Sequence, residues 1–226
     1  MTRFYQTLLD RTAPEQSGLV ASPVIVAALN GSLAKAQYLD FLGQAYHHVR
    51  HTVPLLMACG SRLGPGQAWL QRAIGEYIDE EIGHEEWILN DIAACGGDAE
   101  AARRSEPWIE TETMVACAYH QIDRGNPVGF FGMVHVLEGT SVALATRAAG
   151  SIRQSLGLPQ SAFSYLTSHG SLDQEHVMFF RNLMDRIEDA EDQRVIIHCA
   201  RRFFRLYGAI FRALAADRGG AAHGHA

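Results

Sequence analysis

The sequence predicts an all-α bundle, and three observations carry that prediction. Alanine- and leucine-rich stretches repeat their apolar residues at intervals of three and four, as amphipathic helices require. Alternating β-branched runs, the mark of strands, are missing from the sequence. The breaks between helical stretches are short and carry glycine or proline, which suits antiparallel neighbours.

Taken in order, the pattern predicts a short helix over residues 2–10 and a fresh Ser/Pro-marked start at about residue 22. A long amphipathic helix follows over 33–60, until Leu63-Gly-Pro-Gly66 breaks it. The next helix spans 67–95 and stops at Gly96-Gly97, a C-cap signal. Residues 98–107 are polar and end at Pro107; a helix over 108–123 comes next. Asn126-Pro127 restarts the chain, with the proline suited to a first helical turn, and that helix runs to about 155. Gly157-Leu-Pro159 separates it from a helix over 160–187, and the last helix covers 189–217. At 226 residues and 47% hydrophobic content the chain can fill one sizeable core, so one domain is expected over residues 1–217. The GGAAHGHA ending is expected to form a disordered tail, 218–226.

Composition removes several function classes. The net charge is −6, Lys35 is the one lysine, and no basic patch or basic aromatic run appears, so nucleic-acid binding is not expected. The four cysteines, Cys59, Cys95, Cys117 and Cys199, are far apart and form no CxxC pair, which argues against a zinc or disulfide framework. The N-terminus lacks the apolar region of a signal peptide, and no apolar run reaches the ~18 residues of a membrane span. A soluble, cytoplasmic protein is the expectation.

The chemistry is concentrated in three segments. His169-Gly-Ser-Leu-Asp173-Gln-Glu-His176 places two imidazoles and a carboxylate at positions 0, 4 and 7, within ~60° of one another on a helix. That donor set suits iron or manganese. Glu80-Glu81-x-x-His84 contains a Glu-x-x-His pair, the spacing by which helical bundles present a carboxylate and an imidazole inward. Glu138 stands in GMVHVLEGTSVALATRAAG, where Val134, Ser141, Val142 and Ala145 share its face; a carboxylate among such neighbours calls for a partner or a metal. His135, one turn earlier, reads either as a satisfied core histidine or as an outer partner to that site. His47, His48 and His51, in YHHVRHTVPLL, are candidates for a substrate pocket, and Tyr46, Phe130, Phe131 and Met133 for its walls.

With those residues in hand, the chain resembles the haem-oxygenase-like superfamily. Within it the likeness is to the non-haem branch, the haem-oxygenase-like di-iron oxidases or iron-containing redox enzymes, related to thiaminase-like and PQQ-biosynthesis oxidase proteins. The resemblance covers roughly residues 20–215 and rests on YHHVRHTVP, EEIGHEEWILND, VLEGTS and HGSLDQEH. It implies a haem-oxygenase-like helical bundle of about seven helices. It also implies metal ligands at His84, Glu138, His169, Asp173 and His176, with Glu138 as the bridging carboxylate. Glu81 fills the remaining carboxylate place on geometry, with Glu80 as its alternative. Some members of the family carry a carboxylate seven residues before the helix histidine, and here that position is Tyr77.

The function that follows is a non-haem iron oxidase or oxygenase acting on a small organic substrate. It would bind two Fe(II) ions, or one, and use O2 as co-substrate. No catalytic residue is assigned beyond the metal ligands. A homodimer is expected by analogy, with no nucleic-acid or membrane partner. Three alternatives stand beside this reading. One is a haem or cofactor-independent oxidase using His47, His48 or His51. Another is a thiaminase-like hydrolase with Cys117 beside His120, or Cys199 after His198. The last is a metal-binding or interaction protein without enzymatic activity.

Overall fold

In the computed structural model, residues 3–216 are described; the side chains at 142, 143 and 168–176 lie outside the described residues. The described chain is all-α, as expected, with eleven α-helices, three short 3-10 turns and no strand. The helices are α1 (Phe4–Val20), α2 (Pro23–Leu29), α3 (Lys35–Val49), α4 (Thr52–Arg62), α5 (Ala68–Glu81) and α6 (His84–Ala94). They continue as α7 (Ala99–Arg104), α8 (Ile109–Arg124), α9 (Phe131–Leu156), α10 (Ser164–Asp185) and α11 (Ala190–Ala215). Among the described residues, no single helix is long and apolar enough to cross a membrane.

The expected count of about seven falls short because two long stretches are each two helices. The stretch over 33–60 breaks at Arg50 and His51, between α3 and α4. The stretch over 67–95 breaks at Ile82-Gly83, where Gly83 adopts a left-handed φ of 90° that side chains disfavour. Two further boundaries differ. The first helix runs on to Val20 with Pro14 inside it, well past residue 10. The polar stretch 98–107 forms α7, started by Asp98, whose carboxylate accepts from the Ala101 N–H at 2.9 Å.

The apolar faces of these helices share one core that extends from Phe4 to Leu214. α9 runs through it, packed against α2, α10 and α11. Its entry against α11 is unusually close. A Cβ at Gly132 would stand 2.6 Å from the Ala200 nitrogen and 2.7 Å from the Ile196 carbonyl oxygen.

Three helices that begin with poor capping residues are capped from elsewhere in the chain. α1 follows Arg3, and its Tyr5 N–H donates to Asp185 Oδ1 at the far end of α10 (2.9 Å). α8 follows Trp108, whose own N–H donates to Gln44 on α3 (3.0 Å). α10 follows Phe163, and the fully buried Asp91 of α6 accepts the N–H groups of Ser164 (2.8 Å) and Tyr165 (2.9 Å) and also the Ser164 hydroxyl. The free N–H groups of a helix start need acceptors, and a carboxylate also meets the positive end of the helix dipole. Asp91 thus ties the helix bearing His84 to the helix bearing residues 169–176. Asp91→Ala should cost about 2 kcal/mol of stability, the sum expected of a lost cap and buried donors left unmet. Urea unfolding of wild type and variant measures it, and an unchanged midpoint would remove Asp91 as the tie.

Candidate metal centre and cavity

The α5–α6 break places Glu81 at the last position of one helix and His84 at the first of the next. The pair comes together, although not as neighbours on one helix face: His84 Nδ1 donates to Glu81 Oε2 at 3.0 Å. A carboxylate accepts only, so this bond places a proton on Nδ1. His84 is buried, its ring tilted against that of Trp87 with the centroids 4.0 Å apart. The carboxylate–imidazole pairing is the one by which proteins orient a metal-ligating histidine.

Glu81 opens onto a mainly apolar cavity of about 150 Å³, and Glu138 reaches the same cavity from α9. Val134, Ser141 and Ala145, read from the sequence as sharing the Glu138 face, line it too. Tyr77, 2% exposed, lines the same cavity, its ring edge-on to Phe179. The Tyr77 hydroxyl faces Glu138 in a contact short of a well-formed hydrogen bond. Burial first, then the charges of Glu138, Glu80 and Glu81, push the Tyr77 phenol well above its ordinary pKa. Burial, with the Tyr207 and Glu81 charges after it, does the same to Tyr165, which also lines the cavity. Two carboxylates thus line one mainly apolar cavity, and oxygen donors of this kind suit an iron ion.

The remaining candidates separate clearly. Glu80 is exposed and does not line the cavity, while Glu81 does. His48 lines the cavity, edge-on to the Tyr207 ring. His47 and His51 turn away from it: His47 pairs with the Ser105 hydroxyl at 2.9 Å and His51 with the Tyr119 hydroxyl at 3.2 Å. Burial lowers the pKa of both. Of the expected wall residues, Phe130 and Met133 line the cavity, whereas Tyr46 and Phe131 belong to the surrounding core.

His135 also points elsewhere. Thr12 gives its hydroxyl proton to the Leu8 carbonyl (2.7 Å) and so accepts from His135 Nε2 (3.1 Å), with Phe180 stacked on the ring and Phe204 edge-on. It is a satisfied core histidine, with its pKa lowered by burial to about 4. His169, Asp173 and His176 fall on α10, and their side chains lie outside the described residues. Among the described residues, no three His, Cys, Asp or Glu side chains gather closely enough to hold an ion by themselves.

No cysteine lines the cavity. Burial raises the thiol of Cys59 to about 12 and those of Cys95 and Cys199 to about 11, the opposite of an activated nucleophile. Two residues that matter here carried no usable sequence signal. Asp91 looks like one more acid in an acidic helix, and Tyr165 like one more core aromatic; only their distant partners reveal them.

The profile of a family described as iron-containing redox enzymes matches residues 39–208. No curated protein matches the chain. Among solved structures, a domain of unknown function with a haem-oxygenase-like fold from Shewanella denitrificans OS217 is 23% identical over 98% of both chains, with a TM-score of 0.88. A TenA homologue from Pseudomonas syringae pv. tomato DC3000 is 12% identical over 94% of this chain and 92% of that one, with a TM-score of 0.77. Haem oxygenase-1 from the cyanobacterium Synechocystis sp. PCC6803, in complex with haem, is 11% identical over 96% of this chain and 94% of that one, with a TM-score of 0.75. At such identities these likenesses show the haem-oxygenase-like fold alone.

Proposed function

Since the chain belongs to the iron-containing redox enzymes, we propose that it is a non-haem iron oxidase or oxygenase acting on a small organic substrate. The observation that carries this reading is that Glu138 and Glu81, itself paired with His84, line one mainly apolar cavity. His84, Glu81 and Glu138 would hold the iron, one ion or two, together with His169, Asp173 and His176 as the family resemblance implies. Bound there, iron supplies a change of redox state and an open position for O2, neither of which zinc with a closed shell of ligands offers.

The chain's own residues do the rest. Glu81 holds His84 in one tautomer and one orientation. Tyr77 presents a protonated phenol to Glu138, and its raised pKa keeps that proton in place at neutral pH. The walls formed by Phe130, Met133, Val134 and Leu137 are apolar and lower the dielectric in which charges at the carboxylate end act.

Oxygen uptake tests the reading. The ferrous-loaded chain should consume O2, and His84→Ala should lose at least tenfold in iron occupancy and in uptake together, since even outer partners of metal sites are worth 10–100-fold. Uptake unchanged in His84→Ala would refute the assignment. One observation favours a second reading, haem, because His48 lines the same cavity. A Soret band on haem addition, lost in His48→Ala, would establish haem instead. The chain is further proposed to work as a homodimer, which a monomeric mass by light scattering would contradict.

A further inference from the structure

One surface of the last helix carries charge of a single sign. From Gln193 to the end of α11 at Ala215 the sequence holds five arginines and no acid, in a chain whose net charge is −6. Arg194, His198, Arg201, Arg205 and Arg212 follow one another at steps of 4, 3, 4 and 7 residues. On a helix those steps bring them within about 60° of one another, in a stripe about 27 Å long. They are scattered in the sequence, and only the helix lines them up. Arg201 is partly exposed and the others are exposed. The first half of the stripe is partly neutralised, because Arg194 pairs with Glu191 and Arg201 lies 3.6 Å from Glu15. The second half is not. Among the described residues the Arg205 side chain makes no hydrogen bond or ion pair, and Arg212 donates to the Arg205 carbonyl alone, at 3.3 Å. The far side of the same helix belongs to the cavity. Tyr207, about 150° round from the stripe, lines it together with Phe211. One helix, about 10–12 Å thick with its side chains, thus separates the basic surface from the cavity.

We propose that the α11 stripe is the docking face for an acidic one-electron carrier protein, which supplies electrons to the site in the cavity. This rests on the reading of the chain as an iron oxidase or oxygenase. A substrate oxidised by two electrons leaves O2 two electrons short of full reduction. Two reduced carriers, docking in turn, each give one electron and leave oxidised, and two protons from solvent complete the balance. The stripe suits a folded protein better than a long polyanion. A standard interface covers roughly 800 Å² per partner, about as wide as the stripe is long. Opposite charge there steers the encounter and fixes register. Beyond the stripe, a chain of net −6 repels a polyanion that overruns it.

The test is calorimetric binding of a plant-type [2Fe–2S] ferredoxin, an acidic carrier, to the full chain, iron-free and iron-loaded, at low and at high salt. Cytochrome c, a basic one-electron carrier, is the control. Ferredoxin should bind at low salt and weaken by about tenfold or more at high salt, while cytochrome c should not bind. Arg205→Glu/Arg212→Glu should weaken ferredoxin by about tenfold or more. Arg72→Glu/Arg147→Glu makes the same change of net charge at exposed residues of α5 and α9 and should bind as wild type does. Arg205→Gln/Arg212→Gln is the recourse if the reversal melts early. Reduced ferredoxin should also be oxidised by the ferric wild-type chain about tenfold faster than by the α11 reversal. No ferredoxin binding at low salt, or binding and oxidation indifferent to the α11 reversal, overturns the proposal. So does tighter binding of phosphatidylserine vesicles or duplex DNA than of ferredoxin. Iron occupancy on the same samples separates the two readings. Iron held by a chain that ignores ferredoxin sinks the docking face alone. Ferredoxin binding that depends on salt and on Arg205 and Arg212, in a chain that holds no iron, keeps the docking face and sinks the iron reading.

Discussion

Gly132→Ala should destabilise the protein by about 3 kcal/mol, at the upper end of what overpacking costs. The added methyl would meet the Ala200 nitrogen at 2.6 Å, the Ile196 carbonyl oxygen at 2.7 Å and the Cys199 Cβ at 2.8 Å. Two of the three are backbone atoms of α11, so no rotamer change relieves the clash, and α9 and α11 must move apart. That separation would disturb a helix that also carries Glu138, six residues on. Gly150 is the control in the same helix. Nothing lies within 4 Å of its Cβ position, so Gly150→Ala should be neutral or stabilising by up to about 1 kcal/mol, the helix-propensity difference. Thermal and denaturant melts of the pair measure both. Equal behaviour of the two variants would mean that the α9–α11 approach is looser than described.

His135 should make the fold acid-labile, with about 3 kcal/mol lost as pH falls from 6.5 to about 4. The sign follows from its surroundings. In the unfolded chain the imidazole takes up a proton near its ordinary value of 6.5. In the core, between Phe180 and Phe204, burial holds it neutral down to about 4. Stability from this group is therefore complete above 6.5, is lost across that window, and falls no further below it. His135→Gln keeps a donor for Thr12 but has no titrating group. The variant should lack most of the wild type's stability loss between pH 7 and pH 4.5. A parallel loss in both proteins would place the acid sensitivity elsewhere.

Helix content and the short joints were legible because each rests on a local rule, periodicity and breaker residues. The α3–α4 and α5–α6 breaks were not. Arg50-His51 contains no breaker at all, and Gly83 is a single glycine in an otherwise continuous amphipathic pattern. That Glu138 lies on an inward face was legible because a lone carboxylate in a small, apolar helix has few explanations, and its companions Val134, Ser141 and Ala145 line the cavity with it. Which of Glu80 and Glu81 faces that cavity was not, since neighbours on a helix end are told apart only by the turn that follows. His47, His48 and His51 looked equivalent in sequence. Their fates were decided by distant residues, Ser105, Tyr207 and Tyr119, that no spacing rule connects to them. The caps supplied by Asp91, Gln44 and Asp185 were hidden for the same reason.

The most direct measurement of the central claim is an anaerobic ferrous titration followed by Mössbauer spectroscopy, on wild type, Glu138→Ala and His169→Ala. The account predicts two irons per chain, or one, in wild type and a loss of at least tenfold in affinity in each variant. No iron bound by wild type, or binding indifferent to both substitutions, would contradict it.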